Sequence, residues 1–274
     1  MGIDRNKPIR PFLKWAGNKY RILHQIHKLL PEGERLVEPF VGSGAVFLNT
    51  DFDDYLLCDS NRDLIDLYQQ LKRRGKKFID ECQVYFQPRY NQESHYYRLR
   101  ERFNLSEDRQ ERAALFLYLN RHGYNGLCRY NASGGFNVPF GRYKRPYFPE
   151  QEMRAFREKA QQASFRHQVF ETTFRGAETG DVIYCDPPYV PLSASSNFTS
   201  YSAGGFSLEQ QKDLVRVARE TAAKGIPVLI SNHDTPFTSD HYHEARLETF
   251  FVQRHISRNG QKRDKAGEIL ALFA

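Results

Sequence analysis

The feature that most constrains this chain is a short apolar strand, Val182–Cys185, that runs directly into Asp186-Pro187-Pro188-Tyr189. Two consecutive prolines each fix φ and each withhold a backbone donor, so the strand must stop there. A second punctuated strand lies far upstream. Leu36–Pro39 leads into Glu38-Pro39-Phe40-Val41-Gly42-Ser43-Gly44, and Ala45–Thr50 then opens a helix. Gly42 and Gly44 let the backbone bend sharply and lie close to a ligand. Tyr55–Cys58 reads as a further strand, ended by Asp59, and Pro227–Ser231 as another.

Helical periodicity fills the gaps. Residues 19–30 place Ile22, Ile26, Leu29 and Leu30 on one face, and Pro31 and Gly33 stop them. Ser60 is placed to cap a helix reaching about Arg74. Ser207-Leu208-Glu209-Gln210 resembles a capping box that opens a helix ending near Gly225. Strands alternating with helices predict a parallel α/β sheet, whose ligands bind beyond the carboxyl ends of its strands.

Residues 76–150 break this rhythm. Helical patterns run to about Leu119, and a Gly/Asn/Tyr/Arg-rich stretch follows from Asn120 to Arg145. The break predicts an inserted domain at 61–149, between a cofactor-binding part at 1–60 and a second catalytic part at 150–274. The chain carries 40 Lys+Arg against 33 Asp+Glu, a net +7, which a polyanionic partner and a merely basic surface explain equally well. Distribution says more. Between Glu111 and Glu150 there is no acid, but there are six Lys/Arg, and nine aromatics lie between Phe116 and Phe148. Of those aromatics, Phe116 and Tyr118 fall in an apolar run and are expected in the core.

Cys58, Cys82, Cys128 and Cys185 form no C-x-x-C pair, which disfavours a disulfide framework or a zinc knuckle. His233, Asp234, Asp240, His241 and His243 match no zinc spacing, so no metal is expected. No stretch reaches the roughly 18 apolar residues of a membrane span, and Met1–Arg10 has no signal-peptide core. A soluble cytoplasmic protein without an obligate protein partner is the expectation.

The two turns carry chemistry. Asp59 follows Gly42 by 17 residues, at the end of the next strand, where an acid can bind both hydroxyls of a ribose. Phe47 occupies the third glycine position of a dinucleotide fingerprint, which argues against a dehydrogenase. An aromatic amino nitrogen is a poor nucleophile because its lone pair is delocalised into the ring. A carboxylate on one N–H and a carbonyl on the other draw it toward tetrahedral geometry. Asp186 and the Pro187 carbonyl suit these roles, Pro188 stiffens the turn, and Tyr189 offers a face for a stacked base.

Phe40-Val41-Gly42-Ser43-Gly44 followed, after a long insert, by Asp186-Pro187-Pro188-Tyr189 resembles the N6-adenine DNA methyltransferases, and more narrowly the Dam family. Phe12–Gly17, Asn120–Asn131, Phe136–Tyr143 and Ser231–Thr235 carry the likeness over nearly the whole chain. The resemblance implies a Rossmann-like S-adenosylmethionine-dependent sheet with an inserted, mostly helical target-recognition domain. It implies S-adenosylmethionine as cofactor, S-adenosylhomocysteine as product, and contacts from Trp15, Lys19, Asp59 and Asp186. Ala16, Gly17, Glu38, Phe40, Gly42 and Gly44 adjoin these and are assigned to the same site. Trp15 suits stacking on an adenine and filling the core equally well. Asn18 departs from the glycine that relatives often carry, with little effect expected.

Double-stranded DNA is the implied partner and GATC the implied target, within a bacterial or phage cytoplasm. A stacked adenine must flip out to be reached. The resemblance casts Lys14 and Tyr143 as guanine-side contacts, and Arg129, Leu127 and Pro139 as readers of the other half-site. Arg100 becomes a phosphate clamp and Asn131 a further polar contact. Tyr124-Asn125 is expected to wedge into the stack that the base leaves. Val190–Phe206 is expected to close as a lid. Arg254, His255, Arg258, Lys262, Arg263 and Lys265 form a basic loop for phosphate or for solvent. Two rivals remain: an RNA or protein amino-group methyltransferase, and a non-catalytic DNA-binding module, which would have no use for Asp59 and Asp186 together.

Overall fold

The computed structural model describes residues 8–191, 206–253 and 265–274. In chain order it contains α1 (Leu23–Leu29), β1 (Arg35–Glu38), α2 (Ala45–Leu48), β2 (Asp54–Asp59) and α3 (Arg62–Arg74). Next come α4 (Lys76–Val84), α5 (Glu93–Leu105), α6 (Arg109–His122), α7 (Glu150–Lys159), β3 (Ala163–His167) and α8 (Phe170–Arg175). The chain finishes with β4 (Asp181–Cys185), α9 (Leu208–Ala222), β5 (Val228–His233), α10 (Pro236–His241), β6 (Arg246–Gln253) and β7 (Lys265–Phe273).

The strands form one sheet in the order β3-β2-β1-β4-β5-β7-β6. The first five are parallel, as alternating strands and helices predict. The expectation of a parallel sheet fails at the far edge, where β7 inserts antiparallel between β5 and β6. The C-terminal hairpin supplies both strands there, so no crossover helix is needed to reverse direction.

The inner strands β1, β2, β4 and β5 are mostly apolar because both faces are covered. Leu36, Tyr55, Leu57, Val182, Tyr184 and Leu229 enter one buried cluster. Their neighbours Val37, Leu56, Cys58, Ile183, Cys185, Val228 and Ile230 enter a second, on the other face. This is the two-residue alternation of a pleated strand, read into two cores. The first cluster continues without a break into α4–α6, where Phe78, Tyr96, Phe103, Phe116 and Tyr118 are fully buried. Helix α3 joins the two regions: Gln69 Nε2 donates to the Phe165 carbonyl at 2.9 Å and Lys72 Nζ to the Ala163 carbonyl at 2.8 Å, both on β3.

Ser207 and Gln210 close the expected capping box of α9. The cap of α3 is Asn61, not Ser60: its side chain accepts the Leu64 N–H at 3.2 Å. The segment expected as one helix over 19–30 opens as a 3-10 turn, Lys19–Arg21, before α1 begins. Among the described residues no helix is long and apolar enough to cross a membrane.

Candidate active site

The order of the sheet reverses between β1 and β4. The chain leaves β1 toward β2 on one side and reaches β4 on the other, so the carboxyl ends of these two strands form the switch point where open α/β sheets hold their ligands. The glycine turn follows β1 and the Asp-Pro-Pro-Tyr turn follows β4, so topology alone brings the two motifs together.

Gly42 and Gly44 have φ of +47° and +71°, in the left-handed region where a side chain is strained. Gly42 has a second reason to be glycine. A Cβ there would stand 2.8 Å from the indole Nε1 of half-buried Trp15, which crosses the turn. The turn is pinned by the Tyr68 hydroxyl, which donates to the Gly42 carbonyl at 2.5 Å. Asp59, at the end of β2, accepts the Gly42 N–H at 3.1 Å on one oxygen and the Asn61 N–H at 2.9 Å on the other. Burial pushes its carboxyl up to about 6, against the pull of those N–H groups. Glu38 is 2% exposed, and its Oε1 has no hydrogen-bond partner among the described residues. Burial holds its carboxyl well above the ordinary range. Half-buried Phe40 stacks on Phe170 at 5.6 Å and meets Phe206 edge-on.

Across the switch point, Asp186 Oδ1 lies 2.7 Å from Lys19 Nζ. Lys19 is 5% exposed and rides on the 3-10 turn that Asn18 caps by accepting the Tyr20 N–H at 2.9 Å. Asn18 therefore has a local task that glycine could not perform. Ser231 Oγ also reaches Asp186 Oδ1, at 3.4 Å, and exchanges a hydrogen bond with the Tyr184 hydroxyl at 3.0 Å. Burial raises the Asp186 carboxyl, while the Lys19 charge and hydrogen bond pull it back down. The Tyr189 ring lies 4.5 Å from Lys19 Nζ, meets His233 edge-on at 4.7 Å, and its hydroxyl donates to Glu268 Oε2 at 3.3 Å.

A buried amide brace holds the turn from behind. Gln211 Nε2 donates to the Pro188 carbonyl at 2.7 Å, and Asn232 Nδ2 donates to Gln211 Oε1 at 3.1 Å and to the Tyr242 hydroxyl at 3.0 Å. Asn232 Oδ1 then accepts the Val190 N–H at 2.9 Å. The sequence reading gave no role to Gln211, Ser231, Asn232, Tyr242 or Glu268. Their signals were that Ser231-Asn232 close the apolar run of β5 and belong to a stretch that carries the family resemblance.

The residues expected to meet DNA fall on one irregular antiparallel loop and its supports. Gly123 bridges Phe140 and Tyr130 bridges Phe136. Tyr124 and Asn125 are exposed at its tip, and Asn125 is left-handed at φ 52°. Leu127 is half-buried, while Arg129 and Pro139 are exposed. Arg129 Nε donates to Asn137 Oδ1 at 2.7 Å. Asn131 Oδ1 already accepts the Gly135 N–H and the Ser133 hydroxyl, both at 2.8 Å, so that oxygen shapes its own turn. Arg100 Nη1 donates to the Val138 carbonyl at 3.0 Å. Lys14 Nζ sits 3.7 Å above the Tyr143 ring, and burial, helped by nearby Arg121, lowers its ammonium to about 8. Most of the expected lid (192–205) and of the basic loop (254–264) lie outside the described residues.

The sheet order, with both motif turns at its switch point, is consistent with a methyltransferase fold. A family model described as the D12 class of N6 adenine-specific DNA methyltransferases matches residues 15–256. The chain belongs to that family. It is 54% identical over 267 residues to the DNA adenine methylases of Salmonella typhi and of Escherichia coli K12, covering 97% of this chain and 96% of each relative. A Vibrio cholerae DNA adenine methylase is 53% identical over 268 residues, 97% of both chains. The protein is accordingly an adenine-specific DNA methyltransferase acting at N6, and its family implies an S-adenosylmethionine methyl donor.

Proposed function

We propose that this enzyme methylates the adenine of GATC in duplex DNA after flipping it into the crevice between the two motif turns. The observation that carries the proposal is the fixed geometry of the Asp-Pro-Pro-Tyr turn. Asp186 is oriented by Lys19 and Ser231, and Gln211 occupies the Pro188 carbonyl. The Pro187 carbonyl then remains to act with Asp186 on the two amino hydrogens. Together they localise the lone pair on N6, and Tyr189 supplies a stacking face.

The crevice fits S-adenosylmethionine: it has a buried carboxyl oxygen without a partner at Glu38, a left-handed turn at Gly42 and Gly44 that lets the backbone lie close to a ligand, and an acid at Asp59 placed to accept ribose hydroxyls. Trp15, Ala16, Gly17, Lys19, Phe40 and Gly44 complete the set that would hold it, with Asp186 at its edge. Bound there, it supplies an electrophilic methyl group. The protein's contribution is position and electrostatics, with no covalent intermediate on the enzyme.

Residues 61–149 are read as the DNA-recognising part, tied to the sheet through α3. Tyr124-Asn125 fill the gap left by the flipped base. Lys14 and Tyr143 contact one guanine, while Arg129, Leu127 and Pro139 read the other half-site. Arg100 clamps a phosphate, and Asn131 adds a further polar contact. The bacterial relatives support a cytoplasmic enzyme on chromosomal DNA. Methyl transfer from labelled S-adenosylmethionine to a GATC duplex and to a GTTC duplex tests the reading. Transfer is expected on GATC alone, at adenine N6. Equal transfer to the adenines of unrelated duplexes would remove the GATC assignment.

A further inference from the structure

Arg129 projects from a three-residue segment whose two other members are turned inward and fastened to the start of α3. Cys128 is 3% exposed, and its sulfur accepts Asn61 Nδ2 at 3.3 Å. The Tyr130 hydroxyl donates to Asp63 Oδ2 at 2.7 Å. Asp63 is 7% exposed, and its other oxygen accepts Arg112 Nε at 3.0 Å and Nη2 at 2.8 Å. Arg112 is itself locked, since its Nη1 donates to the Phe103 carbonyl at 2.7 Å and its guanidinium lies 4.3 Å from the Phe103 ring. Alternating side chains of an extended segment point to opposite sides, so fastening 128 and 130 inward fixes 129 outward.

We infer that Asp63, Tyr130 and Arg112 form a bracket that determines sequence specificity by positioning the Arg129 guanidinium. The inference rests on the proposed reading of Arg129 as a base contact. A bidentate arginine discriminates between bases only if its fork arrives in one plane, and it binds better when little freedom is lost on docking. Asn137 holds one edge of the guanidinium, with Nε donating to Oδ1 at 2.7 Å and Nη2 to the Asn137 carbonyl at 3.2 Å, which leaves Nη1 on the outer edge. The bracket holds the backbone from which that side chain springs. Asn61 also donates its own N–H to Asp59 Oδ1, so the bracket and the cofactor acid share the first turn of α3.

The test compares wild type, Tyr130→Phe and Arg129→Ala. Their kcat/KM is measured on a GATC duplex and on duplexes in which each base pair other than the target pair is replaced in turn. Tyr130→Phe keeps the ring against Phe136, 5.6 Å away, and leaves Arg112 on Asp63. Its discrimination is expected to fall about tenfold, the scale of losing one hydrogen bond to a charged partner. The loss should occur at the same base pair that Arg129→Ala affects, with the other pairs discriminated as before. A uniform loss across all duplexes, or no loss at the Arg129 pair, overturns the bracket while Arg129→Ala still relaxes that pair. If Arg129→Ala keeps full selectivity, the base-reading role of Arg129 fails, and the bracket fails with it.

Discussion

Lys19 Nζ and Asp186 Oδ1 stand 2.7 Å apart, and the ammonium also lies 4.5 Å from the Tyr189 ring. The carboxylate proposed to act on the amino group is therefore held by a buried cation. Burial alone raises the Asp186 carboxyl; Lys19 opposes that rise. The ionised carboxylate accepts an amino hydrogen far more strongly than the neutral acid does, so the acid limb of activity is expected to follow this group. Lys19→Met removes the opposing charge, and the limb is expected to move to higher pH, with kcat/KM at neutral pH falling. A kcat/KM profile between pH 5 and 9 checks this. An unmoved limb would remove Asp186 as the titrating group.

Asp59 has the opposite lesson for binding. Its carboxyl is raised to about 6, above the ~3.9 of an unfolded chain. A raised acid contributes stability that is present below its unfolded pKa and is lost as pH rises through about 6. A cofactor whose ribose donates to the carboxylate favours the ionised form. Affinity for S-adenosylmethionine is therefore expected to be about tenfold weaker at pH 5 than at pH 7, by one-proton linkage. Calorimetric titration at both values measures it. Asp59→Asn should bind weakly at both, with the pH dependence gone.

The amide brace makes a structural commitment that can be broken at one atom. Gln211 is 1% exposed, and its replacement by Leu takes a donor from the Pro188 carbonyl and an acceptor from Asn232 Nδ2. Unsatisfied buried groups cost about 1–3 kcal/mol each, so denaturant stability should fall by that order. The turnover number should fall at least about tenfold, because the turn that presents Asp186 and the Pro187 carbonyl loosens. DNA affinity, set elsewhere on the surface, should change little. Wild-type turnover in Gln211→Leu would dissociate the brace from catalysis.

What sequence could and could not reveal follows from where each signal is local. β1, β4 and β5 were legible because parallel strands buried on both faces must be apolar runs. β3 (Ala163–His167) was missed because it is an edge strand whose Ser164, Arg166 and His167 face out. The direction of β7 has no local signature; it depends on the hairpin with β6. The Asp-Pro-Pro-Tyr turn and the Gly42 turn announced themselves through prolines and glycines. The brace did not, since Gln211 on a helix reads as surface and lies 23 residues from the Pro188 carbonyl it holds. Ser60 and Asn61 are both good caps, and only the backbone path decides between them.

The exposed tip of the loop that Gly123 and Phe140 bridge gives the last expectation. Tyr124 is 51% exposed, and its N–H is tied to the Pro139 carbonyl at 2.8 Å, so its ring is presented without being packed. Asn125 follows in the left-handed region, which asparagine tolerates better than other side chains. Gly126 completes the turn at φ +64°, with no room for a Cβ against the Lys14 side chain. Truncating Tyr124 to Ala should leave the fold intact, because nothing buried depends on the ring. On the proposed wedge role it should remove the aromatic face that fills the gap of the flipped base, a stacking contact worth about 1–3 kcal/mol. With 2-aminopurine in place of the target adenine, fluorescence on enzyme binding reports the flipped population. Tyr124→Ala is expected to give a smaller rise and a roughly tenfold lower kcat/KM, in line with that stacking energy. An undiminished rise would mean that the base is extruded without help from this tip, and the wedge would have to be sought elsewhere on the loop.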